Sequence, residues 1–446
     1  MPVTRAAPAS QRTDRPRIAL VCGNLEPARD GVADYTLHLR EALGQRADVW
    51  LATAGPAAGA AELPAGSRLI EVAGGWNARG VAALAGALRR AAPDVVHVQF
   101  APSAFGYSPA VGLLPLLLPT GTRLVTTLHE YDWWSWPAHV PDRLWRLVER
   151  RRWWDRETLA LAPRSSRVIV TNGAHASAVR SRLGISPRSV PVGANVVPDP
   201  GADRRAVRQA ARSRLGLLPD APLLAFFGFA HPVKGLRYLI EALAMLVPEH
   251  PGVRLVIVGG FASLALSEPE ADAFRRELAG RAREAGVADR VLMTGHLPSA
   301  EASRVLAAAD IAVLPFTAGV TAKSGALAAV AAHGLPVVVT AADPPDPALV
   351  EARTAVVVPR VRDAEALAAG IRRLLSDADL DARVRAGLAT LLADRGWARI
   401  ADAHLKLYRE CHDEGAGRRR SARAHGMWPA GGAPGGGGHD RPDQRG

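Results

Sequence analysis

Leu223-Leu-Ala-Phe-Phe-Gly228-Phe-Ala-His-Pro-Val-Lys234-Gly235 passes from a short apolar run, through a turn with a glycine at each end, into the helical pattern Leu236–Leu246. A fully apolar strand followed by a glycine turn and an amphipathic helix is the βα unit of a parallel sheet buried on both faces. The glycines let the backbone turn tightly and approach a ligand. The amino end of the helix offers unsatisfied N–H groups to a phosphate, and Lys234 adds a full positive charge. Only three lysines occur among 55 basic residues: Lys234, Lys323 and Lys406. That scarcity gives the lysine in this turn weight as a phosphate contact, against the plainer reading of a solvated surface turn.

The same alternation extends in both directions. Downstream, Arg254–Val258, Arg290–Thr294, Ile311–Leu314, Val337–Thr340 and Thr354–Val358 read as strands, with helices at 270–286, 323–333 and 363–375. Upstream, Arg17–Cys22, Asp48–Thr53, Arg68–Val72, Asp94–Val98, Arg123–Leu128 and Arg167–Thr171 read as strands, with helices at 31–43 and 78–90. The chain is therefore expected to be α/β, with two successive doubly wound domains and a switch in the Pro/Asp/Arg-rich stretch Pro198–Asp220. Such sheets bind ligands at the carboxyl ends of their strands, so the active site is expected in a cleft between the domains.

A second phosphate-like turn is Pro315-Phe-Thr-Ala-Gly-Val-Thr321-Ala-Lys323-Ser324-Gly325. Thr321, Ser324 and the backbone at Gly325 can donate to an anion. Lys323 sits at the helix end where its charge opposes the dipole, a conflict that a bound anion removes. The plainer reading is a Thr/Ser cap with an exposed lysine. The segment lacks GxxxxGK[ST], and no GxGxxG supports a nicotinamide or flavin site.

On the first-domain side, Gly31 at a helix mouth leaves room for a diphosphate or sugar, or simply starts the helix. Thr127-Leu-His129-Glu130-Tyr-Asp132 ends a strand and runs into Trp133-Trp-Ser-Trp136. His129 is placed to meet a sugar hydroxyl. Gln99, Glu130 and Asp132 are candidate acceptor contacts, and Trp133 and Trp136 can stack on an acceptor sugar or fill space under a loop. The stretch Arg143–Arg156 packs six arginines with Trp145, Trp153 and Trp154. It reads either as a helix lying on an anionic bilayer or as a solvated helix packed by its leucines.

Composition narrows the class. With 446 residues, 48% of them apolar, the chain exceeds one ordinary core and fits two or three domains. Cys22 and Cys411 lie almost a chain apart, which excludes a disulfide scaffold and a clustered cysteine zinc site, and no metal site is expected. No apolar run reaches 18 residues. Half of the formal net charge of +12 lies in the short end segments, 1–16 and the Gly/Arg/Pro-rich 415–446, and the rest is spread thinly between them, so no specific nucleic-acid partner is expected. Both end segments read as flexible. Met1–Pro16 lacks a signal-peptide core, which makes the cytoplasm the expected compartment.

Taken in order, these motifs resemble the retaining, nucleotide-sugar-dependent glycosyltransferases of family 4, with GT-B architecture. The resemblance rests on Gly31-Val-Ala-Asp-Tyr, Asp94-Val-Val-His-Val-Gln-Phe100, Thr127-Leu-His-Glu130, Arg167-Val-Ile-Val-Thr-Asn172, Gly228…Lys234-Gly235, Arg254-Leu-Val-Ile-Val-Gly-Gly260, Gly295-His-Leu297, Ala309-Asp-Ile-Ala-Val-Leu-Pro315 and Gly334-Leu-Pro-Val-Val-Val339. It implies two Rossmann-like domains facing each other across a cleft: an acceptor-side domain at 17–200 and a donor domain at 201–395. It also implies a crossing helix at 396–414. The implied donor is a UDP- or GDP-sugar, with no cofactor, and the implied acceptor is a carbohydrate or lipid-linked hydroxyl in polysaccharide or glycolipid synthesis. Peripheral attachment to the inner face of the plasma membrane goes with the Arg143–Arg156 reading. By the same resemblance, catalytic weight falls on His129, Lys234 and Lys323. Donor contacts fall on Gly31, Gly228, Lys234, Gly235, Thr321, Lys323, Ser324 and Gly325. The chain departs from the family pattern at Phe229, where an arginine is common, and at Thr321 and Ala329, where a pair of glutamates is usual. Those departures leave a non-catalytic sugar-nucleotide-binding protein, or a GT-B epimerase, as the alternatives.

Overall fold

The computed structural model describes residues 15–55, 68–136, 140–218 and 220–425, with side chains described as far as 413. Two all-parallel sheets organise it. The first contains β1 (Arg17–Cys22), β2 (Asp48–Thr53), β3 (Arg68–Glu71), β4 (Val95–Phe100), β5 (Arg123–Leu128), β6 (Arg167–Val170) and β7 (Arg188–Ser189), in the order β3-β2-β1-β4-β5-β6-β7. The second contains β8 (Leu223–Phe227), β9 (Arg254–Val258), β10 (Val291–Gly295), β11 (Ile311–Leu314), β12 (Val337–Thr340) and β13 (Val356–Val358), in the order β10-β9-β8-β11-β12-β13. In both sheets the order reverses beside the first strand. The loops that follow β1 and β4, and those that follow β8 and β11, therefore open at the switch points where doubly wound sheets bind ligands.

Each central strand is buried along nearly its whole length; β8 and β11 are apolar throughout, and β4 carries His97 and Gln99 within an otherwise apolar run. One core cluster fills the second domain. Two fill the first, on opposite faces of its sheet. One of those two is completed by the last helix, Trp397–His425, through Ile400, Ala401, Leu405, Leu407, Tyr408 and Cys411. The chain thus returns from the second domain to seal the first.

Two elements differ from expectation. The stretch Pro198–Asp220 contains a helix, Arg204–Arg214, capped by Asp203. Arg208 and Arg212 from this helix reach Asp310 and the carbonyls of Ala307–Ala309, which ties it to the second domain. Its low apolar content hid it, because it packs through arginine stems and charge-assisted bonds instead of an apolar stripe. The final helix also continues beyond 414, through the first eleven residues of the segment read as a flexible tail, to His425. Alanine and arginine there favour helix strongly enough to outweigh Gly415 and Gly417. The remainder of that segment, from 426, and residues 1–14 lie outside the described residues.

Candidate active site

The two glycine turns of the second domain touch. Gly228 (φ 124°) leaves β8, and a 3₁₀ turn, Pro232–Lys234, is capped by His231. Gly235 (φ 70°) then admits the helix Leu236–Leu246. A Cβ on Gly235 would lie 1.9 Å from the Pro315 carbonyl oxygen at the end of β11, so only glycine fits there. Thr317 donates both its N–H (2.9 Å) and its hydroxyl (3.2 Å) to the Val233 carbonyl. The Lys234 ammonium lies 3.7 Å from the centroid of the Phe316 ring. Burial, with the nearby charge of Lys323, pushes Lys234 down to about 8. Two lysines far apart in sequence therefore share one field.

The second turn is held in place by Gly319, whose Cβ position meets Ala342, and by the Ala322 N–H donating to Asp346 (2.7 Å). Arg395 binds the Ala322 carbonyl from the segment leading into the last helix. Ser324 accepts a bond from the Leu327 N–H and caps the helix Gly325–Ala332. Its hydroxyl therefore serves the helix first, as the plainer reading had it. Thr321 is half-buried beside it. Ala329 is fully buried in the helix and offers no polar atom where the family places its second glutamate.

Facing these turns, the first domain presents His129 and Glu130 at the end of β5. The His129 Nε2–H donates to the Gln99 side-chain oxygen (2.9 Å). Gln99 in turn approaches His97, whose ring nitrogens meet the Tyr408 hydroxyl (2.7 Å) and Thr127 Oγ1 (2.8 Å). Burial, with His175 and His404 nearby, pushes His129 down to about 3. His129 is therefore a neutral imidazole that offers Nδ1 as an acceptor, not a base near pH 7. Gln99 is fully buried. It stands behind His129 and does not line the cleft, which corrects its expected place as a direct contact. The period-two pattern of β4 turns both His97 and Gln99 inward.

Glu130 is half-buried, and its Oε2 has no hydrogen-bond partner. Burial, then the charge of Asp30, raises its carboxyl above the usual range, while Lys323 across the cleft pulls it down. His175, at the start of the helix Gly173–Leu183, is pushed down to about 4 by burial and by Lys323. Lys323 is thus the charge that links both halves of the cleft. At the mouth of β1, Asn24 donates to Asp30 Oδ2 (2.7 Å), and Asp30 Oδ1 caps the helix Gly31–Gly44 through the Val32 N–H (2.9 Å). Nothing lies within 4 Å of a Cβ built on Gly31, so the helix mouth is open to a ligand. The domains meet beside it, where the Leu264 N–H donates to the Arg29 carbonyl (3.2 Å).

The structure therefore brings Gly228, Lys234, Gly235, Lys323, Ser324 and Gly325 to the second-domain side, and His129, Glu130 and Gly31 to the opposite side. Asp132, its carboxylate largely exposed, turns towards Arg182 at the edge of a buried ionic cluster, and Trp133 and Trp136 lie exposed on the loop leading outward. The sequence reading missed Asn24, Asp30 and His175. Asp30 carried a signal, an aspartate directly before a helix start. His175 had only the Asn-x-x-His spacing of a capped helix. Among the described residues, no cluster of three or more His, Cys, Asp or Glu side chains is arranged to hold a metal.

Two α/β domains, each open at its switch point onto one cleft, make this a GT-B protein. Its fold matches sucrose-phosphate synthase from Thermosynechococcus elongatus (TM-score 0.64, 21% identity, 90% of this chain and 100% of that one). It also matches Anabaena HepE in complex with UDP and glucose (TM-score 0.65, 17% identity, 89% of this chain and 100% of that one). Residues 29–198 match the family described as Glycosyltransferase Family 4, and residues 221–377 the family described as Glycosyl transferases group 1. The chain belongs to these glycosyltransferases. Curated relatives include the D-inositol 3-phosphate glycosyltransferase of Nocardia farcinica, 32% identical over 53% of this chain and 51% of the relative. The enzyme of the same name from Segniliparus rotundus is 33% identical over 40% of this chain and 36% of its own length. The chain thus spans about half or less of the length of these relatives.

Proposed function

We propose that this protein is a retaining glycosyltransferase that moves a sugar from a nucleoside-diphosphate sugar to a hydroxyl acceptor. The observation that carries the proposal is the meeting of Lys234 and Lys323 at two joined turns, opposite His129 and Glu130. In the proposed reaction the acceptor hydroxyl attacks the anomeric carbon from the face that the diphosphate leaves. The departing phosphate oxygen accepts the acceptor's proton, so no enzyme nucleophile is needed. Lys234, Lys323 and the first amides of the helix Gly325–Ala332 stabilise charge growing on the diphosphate. Neutral His129 accepts a donor-sugar hydroxyl at Nδ1, and Glu130 accepts from the sugar or acceptor through its unpartnered oxygen.

UDP heads the candidate donors because HepE is described with UDP, and D-inositol 3-phosphate heads the acceptors because of the relatives' names. A lipid-linked acceptor is the other candidate. The helix Asp142–Arg150 buries Trp145 and Glu149 and exposes Leu144 and Leu147, with Trp153 exposed just beyond. Its leucines do not pack inward, and with Arg143, Arg146 and Arg150 this face suits an anionic lipid surface at the cytoplasmic side. Among the described residues no helix is long and apolar enough to cross a membrane.

Calorimetry against UDP, GDP, ADP and TDP, followed by release of the diphosphate from the matching sugar conjugates, tests the proposal. One nucleotide should bind saturably, and Lys234→Ala should weaken it about tenfold or more, the worth of one charge-assisted contact. A folded protein that binds none of the four at millimolar concentration would overturn the proposal. The buried Ala329 and the non-acidic Thr321 favour a second reading, a non-catalytic binding subunit. Saturable binding with no turnover would establish that reading.

A further inference from the structure

The loop Tyr131–Trp136 leaves β5 directly after His129 and Glu130, and its shape is set from beneath by charge. Asp132 has a left-handed backbone (φ 77°), unusual for a residue with a side chain. Its N–H donates to both oxygens of the Glu157 carboxylate, at 2.9 and 3.0 Å. The Tyr131 hydroxyl donates to Asp155 Oδ1 (2.7 Å), and the Trp136 N–H donates to the Arg156 carbonyl (2.8 Å). Glu149, Asp155 and Glu157 are all buried.

One guanidinium joins these groups. Arg182, in the last turn of the helix Gly173–Leu183, donates through Nη1 to Glu157 and Asp132. It donates through Nη2 to Asp155 (2.8 Å) and Glu149 (3.3 Å). Its plane also lies over the Tyr131 ring, 4.5 Å from the centroid. Arg156 helps only at Glu149 and Asp142. Four carboxylates thus share Arg182, and cation is in short supply. Burial holds Glu157 up at about 7 although Arg182 pulls it down.

We infer that Arg182 is the positioning residue for the acceptor side: its fork fixes the pose of Tyr131–Trp136, and with it the approach to Glu130. This rests on the acceptor-side reading of that loop given above. A lysine has one point charge and no plane, so it cannot meet Asp132, Glu149, Asp155 and Glu157 while covering Tyr131. The helix Gly173–Leu183 begins at the cleft with His175 and ends at Arg182, so one rigid element sets both the inner and the outer part of this side.

Amide hydrogen exchange on the full chain tests the inference. In Arg182→Lys, amides of 131–136 should exchange at least tenfold faster, while β8–β13 and the affinity for UDP stay within twofold of wild type. In Arg182→Ala, methylguanidinium at millimolar concentration should restore the slow exchange and methylammonium should not. Unchanged exchange at 131–136 in the lysine variant would overturn the inference. Equal loosening of the second domain would also overturn it, since that marks a general loss of folding. Transfer to D-inositol 3-phosphate separates the two readings: a tenfold rise in acceptor KM with donor KM unmoved supports both. A freed loop with unmoved acceptor KM removes the acceptor-side assignment of the loop and leaves Arg182 as its anchor.

Discussion

Lys234 is half-buried against Phe316 and shares its surroundings with Lys323, and desolvation brings it down to about 8. In the unfolded chain a lysine holds its proton to about 10.4. Carrying the charge in the folded protein therefore costs stability below pH 8, and the cost is relieved as pH rises from 8 towards 10. Diphosphate binding needs the charged form. The affinity for UDP should therefore be flat below pH 8 and fall up to about tenfold per pH unit above it, with proton uptake on binding. Calorimetry in buffers of different ionisation enthalpy measures both. Lys234→Arg keeps its charge and should remove the break, and a break that survives this substitution would assign it to another group. The position of Lys234 was legible because lysine is rare here and follows a strand and a glycine. The role of Gln99 was not legible, because a glutamine at a strand end reads the same whether it faces a ligand or a buried histidine.

Among the elements, the last helix shows how a distant segment completes a site. Tyr408 lies on it, fully within the first-domain core, and its hydroxyl meets His97, which stands behind Gln99 and His129. Tyr408→Phe keeps the packing and leaves a buried imidazole nitrogen without its partner. It should cost about 1–3 kcal/mol, a fall of roughly 2–10 °C in the melting temperature of a domain this size. Thermal unfolding followed by circular dichroism checks this, and an unchanged melting temperature would mean that Thr127 and Gln99 satisfy His97 alone. The helix periodicity of 397–408 was readable in the residues, whereas its return to the first domain was expected from the family resemblance alone. Helical spacing gives an apolar face and says nothing of which domain that face covers. The helix Arg204–Arg214 was missed for the converse reason, since it has almost no apolar face.

For the whole molecule, the return of Trp397–His425 makes the first domain depend on the far end of the chain. Ile400, Ala401, Leu405, Leu407, Tyr408 and Cys411 are all buried in its core. At about 1.5–3 kcal/mol for each large apolar side chain, their removal rivals the whole stability of a typical domain, about 5–15 kcal/mol. A chain ending at Gly396 should lose the cooperative unfolding of the first domain and keep that of the second. Limited proteolysis should then cut first within 17–189 and spare 223–358. Equal resistance in both halves would show that the helix is dispensable.

The sequence alone determined the two parallel sheets, because a strand buried on both faces must be mostly apolar and its crossover helix must alternate. It also determined the two glycine turns, because close backbone approach and left-handed conformations admit little else. Tertiary structure decided which side chains meet. Pro315 against Gly235, Lys323 opposite Glu130, Gln99 behind His129 and Arg182 beneath Asp132 are juxtapositions of residues 30 to almost 200 positions apart, or set by a side chain's direction. Local propensity carries no information about such pairings. They are fixed only when burial and charge are settled together, across both sheets and the helix that closes the first.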